Sequence, residues 1–149
     1  MRGSEGGEPG VVTMVACGAA MAALVPVLLH QTGRLRHLPD PPGMVFDSDG
    51  ITESKMAHPL GVPDGLLGLA SYGVTMGLMV AGRRPGLAQR LLGWKLGVDG
   101  AAAAFNVVRQ VVVFRRVCSW CTGTAVATGV MVWAGRGVVG AEARRVGRV

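Results

Sequence analysis

Three long runs without a single charged residue constrain this chain most. They cover residues 11–29, 65–82 and 117–135, which is 19, 18 and 19 residues. A helix needs about 20 mostly apolar residues to cross the hydrocarbon core of a bilayer. Because soluble proteins rarely hold three such runs in so short a chain, the pattern favours membrane-spanning helices over buried helices of a soluble core.

The composition supports a membrane protein and argues against two other classes. Of the 149 residues, 50% are hydrophobic and only 16% are charged, whereas ordinary soluble domains carry about a quarter charged residues. Intrinsic disorder requires low hydrophobicity. The net charge is +6, but the 15 Lys and Arg are dispersed and only 5% of residues are aromatic. No nucleic-acid partner is therefore expected.

A fourth span is predicted over residues 91 to about 113, which are apolar apart from Lys95, Asp99, Asn106 and Arg109. Ionisable groups inside a bilayer are costly unless they pair or face the interior of the bundle. Lys95 and Asp99 are four residues apart and share a helix face. We therefore predict an all-α, polytopic membrane protein, folded as a four-transmembrane-helix bundle. Small-residue pairs with the spacing of close helix contacts are Gly73/Gly77, Gly93/Gly97 and Ala125/Gly129.

The distribution of basic residues predicts domain limits and orientation. Residues 1–10 form an N-terminal tail, 11–135 the membrane domain, and 136–149 a basic cytoplasmic tail facing lipid head groups. With four spans, the side that carries both ends holds eight Lys and Arg, against six on the other side. Basic residues favour the cytoplasmic side. Both termini are thus predicted to be cytoplasmic in a multi-pass protein of the cell (inner) membrane.

The motif C-S-W-C, formed by Cys118 and Cys121, begins the last span. A thiol at a helix N-terminus has its thiolate favoured by the helix dipole, and Arg115 and Arg116 would add to this effect. The spacing suits a redox-active disulfide, a zinc half-site that lacks two ligands, or an inert pair. Cys17, inside the first run, is expected to pack as a small hydrophobe. We favour redox chemistry without a metal, with a lipid-soluble quinone as the electron acceptor.

Two segments carry a resemblance to a known family. They are CSWCTGTAVATGVM at the last span and HPLGVPDGLLGLASYGVTMGL at the start of the second. Together they resemble the vitamin K epoxide reductase family, in its bacterial form, over residues 11–135. The resemblance implies a quinone, menaquinone or ubiquinone, bound between the helices. It also implies that Cys118 exchanges disulfides with an incoming thiol, that Cys121 passes electrons to the quinone, and that Asp64 contacts a quinone oxygen.

The chain also departs from that family. Residues 31–63 lack the two loop cysteines that relay electrons in many members, and Ser48 and Ser54 are the nearest analogues in size. Either a thioredoxin-like protein or a small thiol would then donate electrons directly to the pair, or the activity is altered. Ala125 stands where animal members place a tyrosine near the quinone. Asp64 has an alternative role as a dipole-stabilised first residue of a helix, and His58 an alternative as a surface residue.

The sequence thus predicts a membrane thiol oxidoreductase that oxidises a dithiol through its CxxC pair, supports protein disulfide formation, and passes electrons to a quinone. The pair would face the oxidising, extracytoplasmic side. Two alternatives stay open. One is a quinone or quinone-epoxide reductase that works for its quinol product. The other is a non-catalytic membrane scaffold or metal-binding relative of the fold.

Overall fold

The computed structural model describes residues 10–84 and 86–148, with all of their side chains except those of 141–143. Regular structure in this part of the chain is helical, and the predicted all-α fold is confirmed. The α-helices are α1 (Val11–Gln31), α2 (Ser48–Glu53), α3 (Asp64–Ala81), α4 (Leu87–Arg109), α5 (Ser119–Ala134) and α6 (Arg136–Val146). Gln110–Phe114 continues α4 as a π-helical turn, and two short 3₁₀ helices, Lys55–Ala57 and Pro59–Gly61, lie between α2 and α3.

Three of these helices are long and apolar enough to cross a membrane: α1, α3, and α4 with its π-helical turn. Helix α5 has only 16 residues. However, α6 follows it after a bend of 60°, and the two helices together are long and apolar enough to form one broken span. The described residues therefore contain three candidate spans, or four when α5 and α6 are counted together. This agrees with the predicted bundle, although the last span is broken at Gly135.

Helix α1 packs against both α3 and α5. Cys17 and Leu24 of α1 belong to one buried cluster with Met79 of α3 and Met131 of α5. Cys17 is fully buried there, and its Sγ lies 3.5 Å from the carbonyl oxygen of Tyr72. It packs as a small apolar side chain, remote from the other two cysteines in sequence. In a bilayer such contacts are stabilised mainly by close packing, because lipid is as apolar as the helix faces.

One of the predicted glycine pairs does not lie at a close helix contact. A Cβ atom added at Gly73 or Gly77 would meet nothing within 4 Å, so this pair does not hold a helix interface. A Cβ at Gly68, in contrast, would lie 2.7 Å from Cδ1 of Leu24. The expectation from the Gly73/Gly77 spacing was wrong, because spacing alone does not say which face of α3 turns towards α1.

The loop between α1 and α3 folds over the start of α5. The amide of Val117 donates to the carbonyl of Val45 (2.8 Å), and the amide of Asp47 donates to the carbonyl of Val117 (3.0 Å). Asp47 also caps α2, since its carboxylate accepts from the amide of Gly50 (3.0 Å). These bonds place the N-terminus of α2 directly against the cysteine motif.

The basic segment after residue 135 begins as a packed helix. Val138 of α6 is buried in the core cluster, and α6 packs against α4. The guanidinium of Arg136 lies 4.4 Å from the ring centroid of Trp133. Arg144, Arg145 and Arg148 are exposed towards the end of the chain. The expectation of a basic tail therefore describes the end of this segment, while its first turns belong to the bundle.

Candidate active site

The two cysteines of the C-S-W-C motif lie on one turn of helix. Cys118 is the N-cap of α5, and its Sγ accepts from the amide of Cys121 (3.2 Å). The two sulfur atoms are 2.7 Å apart, and both residues are free thiols. A disulfide requires sulfur atoms about 2.05 Å apart, so the pair can close with little movement. The two differ in exposure, since Cys118 is fully buried and Cys121 is half-buried.

The surroundings of Cys118, just outside helix α5, favour its thiolate. Contact with the Cys121 thiol lowers the pKa of Cys118 from its ordinary value of 9.0. The Ser48 hydroxyl and the Cys121 amide lower this pKa further, whereas burial acts to raise it. The N-terminus of α5 also favours the thiolate. Arg115 and Arg116 do not stabilise this thiolate as predicted, because both side chains are exposed and Arg116 donates to the carbonyl of Met44 (2.9 Å).

A network of side chains holds the loop over Cys118. Asp40 accepts from the hydroxyls of Ser48 and Ser119, each at 2.5 Å, and from the amide of Ser48 at 2.9 Å. The amide of Ser119 donates to Ser48 Oγ (3.0 Å). Burial acts to raise the pKa of Asp40, but these hydrogen bonds outweigh it and the pKa is lowered. We call Asp40, Ser48 and Ser119 the loop latch. It joins the first loop to the residue beside Cys118.

The backbone of Cys118 is held from α4 as well. Its amide donates to Oε1 of Gln110 (2.8 Å), a buried side chain in the π-helical turn. A buried amide left without a partner would cost about 1–3 kcal/mol, so Gln110 fixes the position of the motif. Gln110 was not singled out from the sequence, because it is one polar residue near the end of an apolar run.

On the other side of the pair, a cavity of about 280 Å³ lies between the helices. Cys121 lines it together with Asp64, Arg109 and Ala125. Fully buried Cys118 does not line it. The remaining lining residues are mostly apolar or small and are drawn from α1, α2, α3, α4 and α5, with Ala57 and Gln110 beside them. The cavity therefore meets the redox pair only through Cys121.

Asp64 and Arg109 form the polar end of this cavity. Gln31 donates from Nε2 to Asp64 Oδ1 (2.8 Å), and Nη2 of Arg109 lies 3.8 Å from Asp64 Oδ2. Asp64 is the first residue of α3, as its alternative role required, and it also lines the cavity. Nε of Arg109 is buried and has no hydrogen-bond partner among the described residues. It is a donor without an acceptor.

Two loop residues singled out in the sequence lie apart from the cysteines. Ser54 donates to the carbonyl of Ile51 (2.7 Å), and the Nδ1 atom of His58 lies 3.1 Å from the carbonyl oxygen of Ser54. Neither lines the cavity. In the ranges 10–84 and 86–148, no group of three or more His, Cys, Asp or Glu could hold a metal ion. The zinc alternative thus finds no ligand cluster around Cys118 and Cys121 there.

Comparison with known proteins identifies the family. No curated protein matches the chain, but the model of the vitamin K epoxide reductase family matches residues 11–135, which is most of its length. Members are multi-pass helical membrane oxidoreductases that work with thiol and quinone redox partners. This chain belongs to the vitamin K epoxide reductase family and is a membrane thiol/quinone oxidoreductase.

Proposed function

We propose that the protein oxidises a dithiol with its Cys118–Cys121 disulfide and passes the two electrons to a membrane quinone, menaquinone or ubiquinone. One observation carries this proposal: the two sulfur atoms are 2.7 Å apart, yet only Cys121 lines the cavity between the helices. A pair arranged in this way can exchange disulfides on one side and reduce a ligand on the other. Protein disulfide formation is the biological process that such a reaction serves.

Cys118 is the residue that exchanges with the incoming thiol. A donor thiolate attacks the sulfur of Cys118, Cys121 leaves, and a mixed disulfide between the donor and Cys118 forms. The lowered pKa of Cys118 then makes it the better leaving group when a second thiol attacks the donor sulfur of that mixed disulfide. The donor is a thioredoxin-like protein or a small thiol, since no cysteine precedes the motif in residues 31–63. Because Cys118 is fully buried, the loop latch must open before a donor reaches it.

Cys121 is the residue that reduces the quinone. Arg109 lines the cavity, and its Nε, which has no hydrogen-bond partner among the described residues, is the donor that we assign to the nearer quinone oxygen. Asp64 holds that guanidinium in place from 3.8 Å and is itself fixed by Gln31. An ionised carboxylate can only accept hydrogen bonds. Asp64 therefore acts on the quinone through Arg109, which refines the role that the family resemblance implied for it.

The experiment is anaerobic mixing of the reduced protein, in lipid nanodiscs, with short-chain menaquinone or ubiquinone while quinol formation is followed. The parent should form quinol and lose two thiols per quinol, and Cys118→Ser and Cys121→Ser should lose this reaction. Cys17→Ala is the matched control and should keep it, because Cys17 lies in the core cluster. Serine variants that behave like the parent would refute the proposal.

Two measurements on the same samples address the alternatives. Stoichiometric zinc that disappears in both serine variants would favour a metal-binding relative of the fold. Rapid reduction of a quinone epoxide would favour an enzyme that works for its quinol product. Both measurements use the variants already prepared for the quinone assay.

We also propose that the cysteine pair faces the extracytoplasmic side of the inner membrane, with both chain ends in the cytoplasm. The excess of basic residues on the side of the chain ends supports this. Met44→Cys lies in the first loop and Arg84→Cys in the loop after α3, and both positions are exposed. In a chain without its own cysteines, an impermeant thiol reagent should label Met44→Cys in intact cells. Labelling of Arg84→Cys instead would reverse the orientation.

A further inference from the structure

An ion pair lies inside the bundle on helix α4. Nζ of Lys95 contacts Asp99 one turn further along and also donates to Ser71 Oγ (2.8 Å) and Thr75 Oγ1 (2.9 Å) of α3. Thr75 donates to the second carboxylate oxygen of Asp99 (2.6 Å). The side chain of Asp99 is 5% exposed and that of Lys95 19%. The four side chains form one hydrogen-bonded group, which we call the deep cluster.

A membrane protein does not need such a cluster to join two helices. Charges inside a bilayer are expensive, and those found there commonly mark a ligand or proton site. A buried ion pair also contributes little net stability compared with apolar packing of the same volume. Two members of the deep cluster, Asp99 and Ser71, line the cavity that Cys121 lines. The cluster is therefore placed to meet whatever occupies this cavity.

The hydrogen bonds of the cluster leave one donor available. All three protons of the Lys95 ammonium have acceptors within the cluster, and Thr75 is bonded to Asp99. The hydroxyl of Ser71 accepts from Lys95, but its own proton has only a long contact of 3.4 Å with Asp99 Oδ1. A hydroxyl rotates freely about its C–O bond, so Ser71 can turn this proton into the cavity.

Along α3, the two polar ends of the cavity are separated by a distance of the same order as a hydrogen-bonded quinone ring. Asp64 and Ser71 are seven residues apart on α3, which is about 10 Å along a helix axis. A para-quinone with a hydrogen bond at each carbonyl oxygen spans about 11 Å between its two partner atoms. One ring can thus meet the Asp64–Arg109 end with one oxygen and Ser71 with the other.

We propose that Ser71, supported by Lys95 and Asp99, binds the second carbonyl oxygen of the quinone and donates the proton that this oxygen takes up on reduction. This inference rests on the proposed function, and it assigns the deep cluster a catalytic role. Lys95 and Asp99 are positioning residues in it, since they act through Ser71.

Over one turnover, Cys118 and Cys121 lose two electrons and two protons as their disulfide forms, and the quinone gains two electrons and two protons as it becomes quinol. One thiol proton goes to the oxygen near Arg109 and the other is released to water. The far oxygen takes the proton of Ser71, and Ser71 takes a proton back from water.

The test combines infrared spectroscopy with kinetics, using short-chain ubiquinone and menaquinone carrying ¹³C at one carbonyl or the other. In the oxidised parent protein, both carbonyl bands should shift to lower frequency, because each oxygen accepts a hydrogen bond. Ser71→Ala should abolish one of the two shifts and lower kcat for quinol formation about tenfold or more. Ser71→Thr, which keeps the hydroxyl, should restore both.

Thr13→Val is the matched control. It removes a buried hydroxyl that has no partner among the described residues and does not line the cavity, and both shifts should remain in it. A parent protein that reduces quinone with only one shifted carbonyl would overturn this inference and leave the proposed function standing. The inference is also wrong if Ser71→Ala keeps both shifts. A parent that neither binds nor reduces quinone would overturn both proposals.

Discussion

The two sides of the cysteine pair differ in how closely they are packed and in how their polar groups are paired. On the loop side, Cys118 is fully buried beside a latch of one carboxylate and two hydroxyls that satisfy one another. On the membrane side, Cys121 lines a cavity of about 280 Å³, whose polar end includes a guanidinium nitrogen with no hydrogen-bond partner among the described residues. The loop side is hydrogen-bonded and closed, whereas the membrane side retains space and an unused donor.

This difference indicates how the two half-reactions are controlled under the proposed function. A closed, hydrogen-bonded cover must open for each thiol donor, so access to Cys118 depends on the strength of the latch. The cavity needs no such opening at Cys121, and binding there depends on the donors that line it. Changes on one side should therefore leave the other half-reaction nearly intact.

The largest expected effect comes from Arg109→Met, which removes the donor at the cavity while keeping most of the side-chain volume. A hydrogen bond from a charged group contributes about 1.5–3 kcal/mol. The loss of this binding free energy should raise KM for the quinone roughly 10- to 100-fold. Alkylation of Cys118 should be unchanged. Arg136→Met, at an exposed position of α6, should affect neither. An unchanged KM in Arg109→Met would remove Arg109 from the quinone site.

The loop side is tested by Asp40→Asn. An amide has one acceptor oxygen where the carboxylate has two, so the latch should weaken by about 1–1.5 kcal/mol and Cys118 should be alkylated about tenfold faster. Quinone KM should not change. Asp47→Asn removes the same charge from the same loop without touching Ser119, and it should behave like the parent. Equal alkylation rates in both variants would show that Asp40 does not control access to Cys118.

The latch should hold at neutral pH. The pKa of Asp40 is lowered from 3.8 in the folded protein, so the stability it contributes is present above this ordinary value and is lost as the pH falls through the lowered one. Protonation of Asp40 therefore does not open the latch at neutral pH. The latch must instead be opened by the thiol donor as it binds.

The sequence predicted the helices well because their signal is local. Predicted spans beginning at residues 11, 65 and 117 correspond to helices beginning at 11, 64 and 119. The break at Gly135 was missed, since the basic residues after it were interpreted as a solvated tail. Periodic composition shows where an apolar helix lies, but the side chains that pack around its end depend on the whole bundle.

The site was only half predictable for the same reason. Cys118 and Cys121 are three residues apart, so their spacing on a helix is enough to bring them together. Asp40 lies 79 residues before Ser119 in an irregular loop, where no periodicity indicates which carboxylate turns inward. Arg109 was noted only as a charge within a span, and its unpartnered nitrogen became visible only with the cavity.

A smaller effect, on stability, should distinguish Ser48 from Ser54, the two loop serines nearest in size to the missing cysteines. Ser48 is fully buried and bonds to both Asp40 and Ser119, so Ser48→Ala should destabilise the protein by about 1–2 kcal/mol. Ser54→Ala should cost at most about 0.5 kcal/mol, since its half-buried hydroxyl bonds only to the carbonyl three residues earlier. Thermal unfolding in one detergent measures both. Equal losses of Tm would contradict the assignment of Ser48 to the latch.

The smallest expected effect is a shift in the pKa of Cys118. It tests whether Cys121, on the cavity side, influences the thiol on the loop side. Contact with Cys121 is the first cause of its lowered pKa, so the alkylation rate of Cys118 should reach half of its maximum at a pH below 9.0. Cys121→Ala should move this midpoint upward, whereas Cys17→Ala should not, and both are measured in the Asp40→Asn background, where the weakened latch makes Cys118 more accessible. A midpoint that stays fixed in Cys121→Ala would mean that the N-terminus of α5 and the Ser48 hydroxyl activate Cys118 without Cys121. The loop side would then be chemically independent of the cavity side, and the two half-reactions would be coupled only by the disulfide itself.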